Sequence, residues 1–261
     1  MSVYRLFGRW RRARLLERHA IPPAAFDATV AALPILRGLD APERTRLREA
    51  ASLFIHDKTF SAAGGGADID DATQRIIALQ ACLLTLNLGE DSYRGWSEII
   101  LYPDEFLRDL EEIDEAGVVH RSRDILAGES WHGGPLVLSI ADVETSGQAD
   151  GVNVVLHEFA HKLDMLNGDA NGFPPLHRGM DAAAWARDFS AAFEDLCARV
   201  DAGEDTAIDP YATASPAEFF AVLTEVFFET PRLLDAEYPA IYRQLQQFYR
   251  QHPLARLEAH A

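Results

Sequence analysis

The chain has 261 residues, 48% of them hydrophobic and 25% charged, a composition that supports a sizeable core and excludes a low-complexity or disordered chain. Its net charge of −17 repels polyanions, so direct nucleic-acid binding is excluded as the main activity. No apolar run reaches the roughly 18 to 20 residues that cross a bilayer, and the N-terminus lacks the apolar stretch of a secretory signal, so a cytoplasmic protein with no transmembrane segment is expected.

In chain order, residues 1–20 come first as a basic arm. Arg5, Arg9, Arg11, Arg12, Arg14 and Arg18 against Glu17 give it +5 and leave −22 on the rest of the chain. It reads as a flexible, solvated tail that could reach an acidic partner. Pro22, Pro23, Pro34 and Pro42 then punctuate a helical region that includes residues 43–53. A short strand is expected at 58–60, a loop at Gly64–Gly66, and a strongly apolar helix over 70–88. Strands at 99–102, 118–120 and 136–140 form a β-rich middle. Helices follow over 153–166, 182–200, 217–228 and 240–250. Helices, then strands, then helices predict an α+β domain over 21–261, mainly helical with a small mixed sheet, rather than a repeating βαβ fold. Cys82 and Cys197 are too few and too separated for a disulfide framework or a Cys-rich zinc site, and each reads as a packing residue.

Within the apolar run from Val154 to Leu166 stands the string HEFAH. His157 and His161 are i and i+4, which stacks both imidazoles on one helix face so that two nitrogens can reach one tetrahedral ion. Glu158 lies about 100° around the turn, where its carboxylate can serve a water molecule without displacing it from the ion. A chance HExxH is expected roughly 0.02 times in a chain of this composition, and charged groups in so apolar a helix are costly unless paired or metal-bound. A catalytic zinc is therefore the favoured reading.

Such a zinc takes three protein ligands and keeps a fourth position for water. The place six residues beyond His161, used by metzincins, holds Asn167, a poor ligand. Asp164 is better placed to hydrogen-bond a ligand imidazole than to reach the ion. Downstream, Glu218 and Glu225 lie seven apart on one helix stripe. Ser215-Pro216-Ala217-Glu218 also reads as a capping box, so residue chemistry alone leaves Glu218 open between cap and ligand. His177 is the nearest spare histidine that could close the site as a fourth ligand.

The string HEFAHKLD, with a Tyr seven residues before a Glu in DPYATASPAEFFAV, resembles the Mlc titration factor A (MtfA) family of zinc peptidases, as do IALQACLLTLNLGEDSY, ILYPDEF, GPLVLSIADV and YRQLQQFYRQHP. The resemblance covers roughly residues 20–253. It implies a zincin-like fold with an active site similar to that of the anthrax lethal factor catalytic domain, one Zn2+ held by His157, His161 and Glu218, Glu158 as general base and Tyr211 as oxyanion donor. The activity it implies is gluzincin-like peptide hydrolysis, aminopeptidase-like on short peptides. Family members also bind and inactivate the glucose-responsive repressor Mlc, which would place the chain in the control of sugar-uptake genes. The alternative is a regulatory protein that titrates a repressor, its peptidase activity incidental. The strand at 136–140 precedes the metal helix as the substrate-pairing edge strand does in zincins.

Overall fold

The computed structural model describes residues 3–63, 69–89, 92–102, 111–113, 119–121 and 134–259. The basic segment forms α1 (Val3–His19). It lies against α3 (Ala41–Asp57), where Arg12 pairs with Glu49 at 2.8 Å and the Ile21 backbone N–H donates to Ser52 Oγ. The stretch read from the sequence as a flexible tail is helical over Val3–His19. Between them runs α2 (Pro23–Ala32), started by proline at its first position. The Gly64–Gly66 loop lies outside the described residues.

Strand β1 (Thr59–Ala62) leads to α4 (Asp71–Leu84), whose last eight residues are all buried. This apolar run, expected to reach residue 88, stops at Thr85 and continues as turns. Strand β2 (Glu98–Tyr102) follows, then a hairpin of β3 (Glu111–Ile113) and β4 (Val119–Arg121). Sequence patterning misses β3 and sets the second strand at 118–120, where residue 118 lies outside the described residues. Strand β5 (Leu136–Ser139) ends one residue before Ile140, which opens α5 (Ile140–Thr145), because Ser139 Oγ accepts the Asp142 N–H and caps a helix there.

The main sheet runs β1-β2-β5 and is parallel throughout, not mixed. Parallel neighbours need a long crossover, which α4 supplies between β1 and β2. Register pairs Ile99 with Leu136 and Leu101 with Leu138, all four buried, so one face of the sheet belongs to the core. β5 ends the strand order, with its other edge unpaired by a named strand among the described residues.

The C-terminal half is helical: α6 (Val154–Asp164), α7 (Ala182–Asp201), α8 (Pro216–Glu229), α9 (Pro231–Glu237), α10 (Pro239–Tyr249) and α11 (Pro253–Glu258), of which the short α9 and α11 were absent from the sequence reading. Helix α6 lies between α4 and α8. Its far end is pinned to the loop that follows: Asp164 Oδ2 accepts the backbone N–H groups of Asn171 and Gly172 at 2.7 and 2.6 Å. Asp164 therefore orders a loop instead of bonding an imidazole, contrary to the sequence expectation. Gly172, at φ +76°, passes so close to Pro216 that a Cβ would collide with that carbonyl oxygen, and glycine permits the approach. Lys162 Nζ donates to the Gly134 carbonyl at 3.0 Å, tying α6 to the entry of β5.

Candidate metal centre

Asn153 starts α6 as its N-cap, accepting the Leu156 N–H on Oδ1 at 2.9 Å. Val155, Leu156, Phe159, Ala160 and Leu163 bury the helix in the core, which leaves His157 and His161 on the face turned to α8. Their ring centroids lie 4.9 Å apart and their Nε2 atoms 3.2 Å apart. The i, i+4 spacing thus does what it implies.

Glu218 completes a cluster with them. Its Oε2 lies 2.9 Å from His157 Nε2 and its Oε1 3.3 Å from His161 Nε2, and one donor atom from each of the three residues falls within 4.8 Å of the others. The capping-box alternative is half present, because Ser215 Oγ accepts the Glu218 N–H at 3.2 Å. The Glu218 carboxylate, however, turns to the imidazoles and not back to the helix start. Backbone and side chain of one residue thus serve the two purposes that seemed to compete.

Two imidazoles and a carboxylate around one point form a donor set that can hold a metal ion. Burial alone would pull the His157 imidazole down, but the carboxylates of Glu218 and Glu225 outweigh it and lift its pKa to about 10. Burial likewise would raise Glu218, yet the bonds to His157 and His161 hold it well below the usual carboxylate range.

Tyr211 sits on a 3-10 turn, Pro210–Thr213, held by the Asp209 carboxylate accepting its backbone N–H, and its ring lies 6.1 Å from that of His157. Burial lowers the Lys162 ammonium, and the charge of Glu158, one turn before it on α6, only partly offsets this. His177 is directed elsewhere: its Nε2 donates to the Phe248 carbonyl at 2.7 Å and its ring stacks on Phe248. Sequence reasoning placed Glu225 on the Glu218 stripe but missed the polar group it joins behind His157, with Asn153, Gln80 and Glu229. The signal was available in Glu225 and Glu229, carboxylates within an otherwise apolar helix.

The model of the glucose-regulated metallo-peptidase M90 family matches residues 7–250. The chain belongs to that family. Among its relatives, the Mlc titration factor A of Escherichia fergusonii is 41% identical over 228 residues, covering 87% of this chain and 86% of that protein. The protein of the same name from Salmonella gallinarum is 42% identical over 235 residues, covering 88% and 87%. That of Salmonella arizonae is 42% identical over 231 residues, covering 87% and 90%. Family M90 is one of metallopeptidases, and the chain offers the family a His-His-Glu cluster that can hold the metal.

Proposed function

We propose that the chain is a zinc-dependent peptidase of the HExxH, gluzincin-like type with a zincin fold, and that His157, His161 and Glu218 hold one Zn2+. The observation that carries this reading is the convergence of the three donor groups within 4.8 Å, reached from two helices whose sequences separate them by 57 to 61 positions. Held by His157, His161 and Glu218, zinc would supply Lewis acidity that lowers a water molecule's pKa toward about 7. Glu158 takes the proton as the water attacks the carbonyl carbon and returns it to the leaving amine nitrogen. The Tyr211 hydroxyl donates to the carbonyl oxygen as negative charge builds there. The edge of β5 that no named strand pairs among the described residues, joined at its entry to α6 through Lys162, pairs with the extended backbone of a peptide. Aminopeptidase-like action on short peptides fits a site of this kind. Residues 21–261 form the catalytic domain and the basic 1–20 segment an appendage to it.

The test is zinc content together with hydrolysis of short peptides. A protein carrying one zinc, inactivated by chelation and restored by zinc, is expected. A zinc-loaded protein inert towards a broad panel of short peptides would overturn the peptidase reading.

The second reading rests on the relatives' name. Proteins 41–42% identical over most of the chain are called Mlc titration factor A, so a repressor of the Mlc type is a proposed partner and control of sugar-uptake genes a proposed role. No helix among the described residues is long and apolar enough to cross a membrane, and a cytoplasmic location suits both readings. Glu158→Gln keeps fold and surface charge nearly intact, so it should retain repressor binding. Loss of binding with zinc and fold preserved would tie recognition to the active site.

A further inference from the structure

The reading above uses Glu218 and leaves the second carboxylate of the same stripe, Glu225, without a role. Glu225 is 6% exposed on a helix otherwise lined by Phe219, Leu223, Val226 and Phe227, a place where an ionised carboxylate is costly unless both oxygens are bonded. Both are. Oε1 lies 2.7 Å from His157 Nδ1, and Oε2 accepts the Asn153 backbone N–H at 2.5 Å. Asn153 is itself fixed from two further sides, its Nδ2 donating to Gln80 Oε1 of α4 and to Glu229 Oε1 of α8, each at 2.6 Å. The carboxylate is thus held by α6 and α8, with α4 behind them.

We propose that Glu225 is a positioning residue which accepts a hydrogen bond from His157 Nδ1–H, keeps the proton on that nitrogen and so presents the Nε2 lone pair to the metal. This rests on the zinc reading of the site. A neutral imidazole carries one N–H, and an acceptor at Nδ1 keeps it there, orients the ring and makes Nε2 a stronger ligand. The geometry agrees, since Nε2 faces Glu218 and His161 while Nδ1 faces Glu225. The two ligand histidines differ here: His161 Nδ1 is buried with no hydrogen-bond partner among the described residues. Orientation of the pair is therefore imposed through His157. A carboxylate is needed and an amide will not serve, because both of its neighbours are donors. Glutamine would turn its NH2 against one of them. It would either strand the Asn153 N–H at the head of α6 or force His157 into the tautomer that puts the proton on its ligand nitrogen.

The experiment is zinc affinity by competition with a chromophoric chelator for wild type, Glu225→Gln, Glu225→Asp and Glu218→Ala. Melting temperatures of the zinc-free forms and side-chain nitrogen NMR of the zinc-loaded histidines accompany it. Glu225→Gln is expected to weaken zinc binding about 10- to 100-fold while the zinc-free protein stays folded. Glu225→Asp, which keeps two acceptor oxygens, should recover part of the loss, and wild-type His157 should carry its proton on Nδ1. Wild-type affinity in Glu225→Gln, when Glu218→Ala has lost zinc, overturns the positioning role and leaves the zinc reading standing. Full zinc binding in Glu218→Ala overturns both. If Glu225→Gln does not fold, the wild-type spectrum decides: zinc-loaded His157 with its proton on Nε2 overturns the proposal, and a proton on Nδ1 upholds it.

Discussion

On one side of α8, Phe219 and Phe220 pack against Phe189 and Trp185 of α7, with ring centroids 6.1 to 6.2 Å apart, and Phe220 against Phe248 of α10 at 6.0 Å. On the other, Glu218, Glu225 and Glu229 form one stripe facing α6 and its cap. Both faces are buried, but burial means different things on them. The aromatic face is held by dispersion and area, so it tolerates a change of shape at a cost proportional to the atoms lost. The acidic face is held by hydrogen bonds from His157 and Asn153 to its carboxylates, so removing one member strands another. A helix that needed only to fill the core would have no use for two buried carboxylates and a third half-buried beside them.

The largest effect should come from the site itself. Glu158→Gln is expected to abolish peptide hydrolysis while zinc content is unchanged, since an amide keeps the shape and cannot accept the water's proton; turnover above about 10% of wild type would remove Glu158 from the general-base role. The aromatic face should show the opposite pattern. Phe220→Ala, at a fully buried position, should cost about 3 to 5 kcal/mol in urea unfolding of the zinc-free protein and leave zinc affinity near wild type. A loss below about 1 kcal/mol would mean that this face does not carry the fold.

Tyr211→Phe should lower kcat by roughly 10- to 1000-fold with little change in zinc content, as for the loss of one oxyanion donor. An unchanged kcat returns Tyr211 to packing against His157. The smallest effect concerns Glu229, whose carboxyl burial pushes up to about 7, with the Asn153 amide only partly offsetting it. Its folded pKa is raised above the ordinary value of 4.5, so the folded protein holds the proton more tightly than the unfolded chain. Stability from this group is fully present below about pH 4.5 and falls as pH rises toward 7. Glu229→Gln should flatten that part of the stability profile and add on the order of 1 to 3 kcal/mol at pH 8 relative to wild type. An unaltered slope between pH 4.5 and 7 would contradict a protonated Glu229.

The sequence carries the metal helix openly because everything that defines it is local: the i, i+4 histidines, the apolar neighbours and the Asn153 cap fall within a dozen residues. Most helices and four strands could be read for the same reason, from period and punctuation. What could not be read depends on distant partners. Strand order and parallel pairing join β1, β2 and β5 across the chain, and no local pattern states which edge meets which. Glu225 meets His157 across 68 positions and the Asn153 N–H across 72. Its burial among phenylalanines could be suspected from the string TEVFFE, but not the nitrogen it faces. At Glu218 the local signal was true yet incomplete, since the cap uses its backbone and the site uses its side chain.

The central claim is that the Glu218 carboxylate is a metal ligand, and Glu218→Ala tests it most directly because the Ser215 cap accepts a backbone N–H that alanine keeps. Zinc is measured in the purified variant and wild type after dialysis against a weak chelator, with peptide hydrolysis assayed on the same samples. The account predicts one zinc and activity in the wild type, and neither in a variant that remains folded. Stoichiometric zinc with wild-type turnover in Glu218→Ala would contradict it and move the third ligand elsewhere.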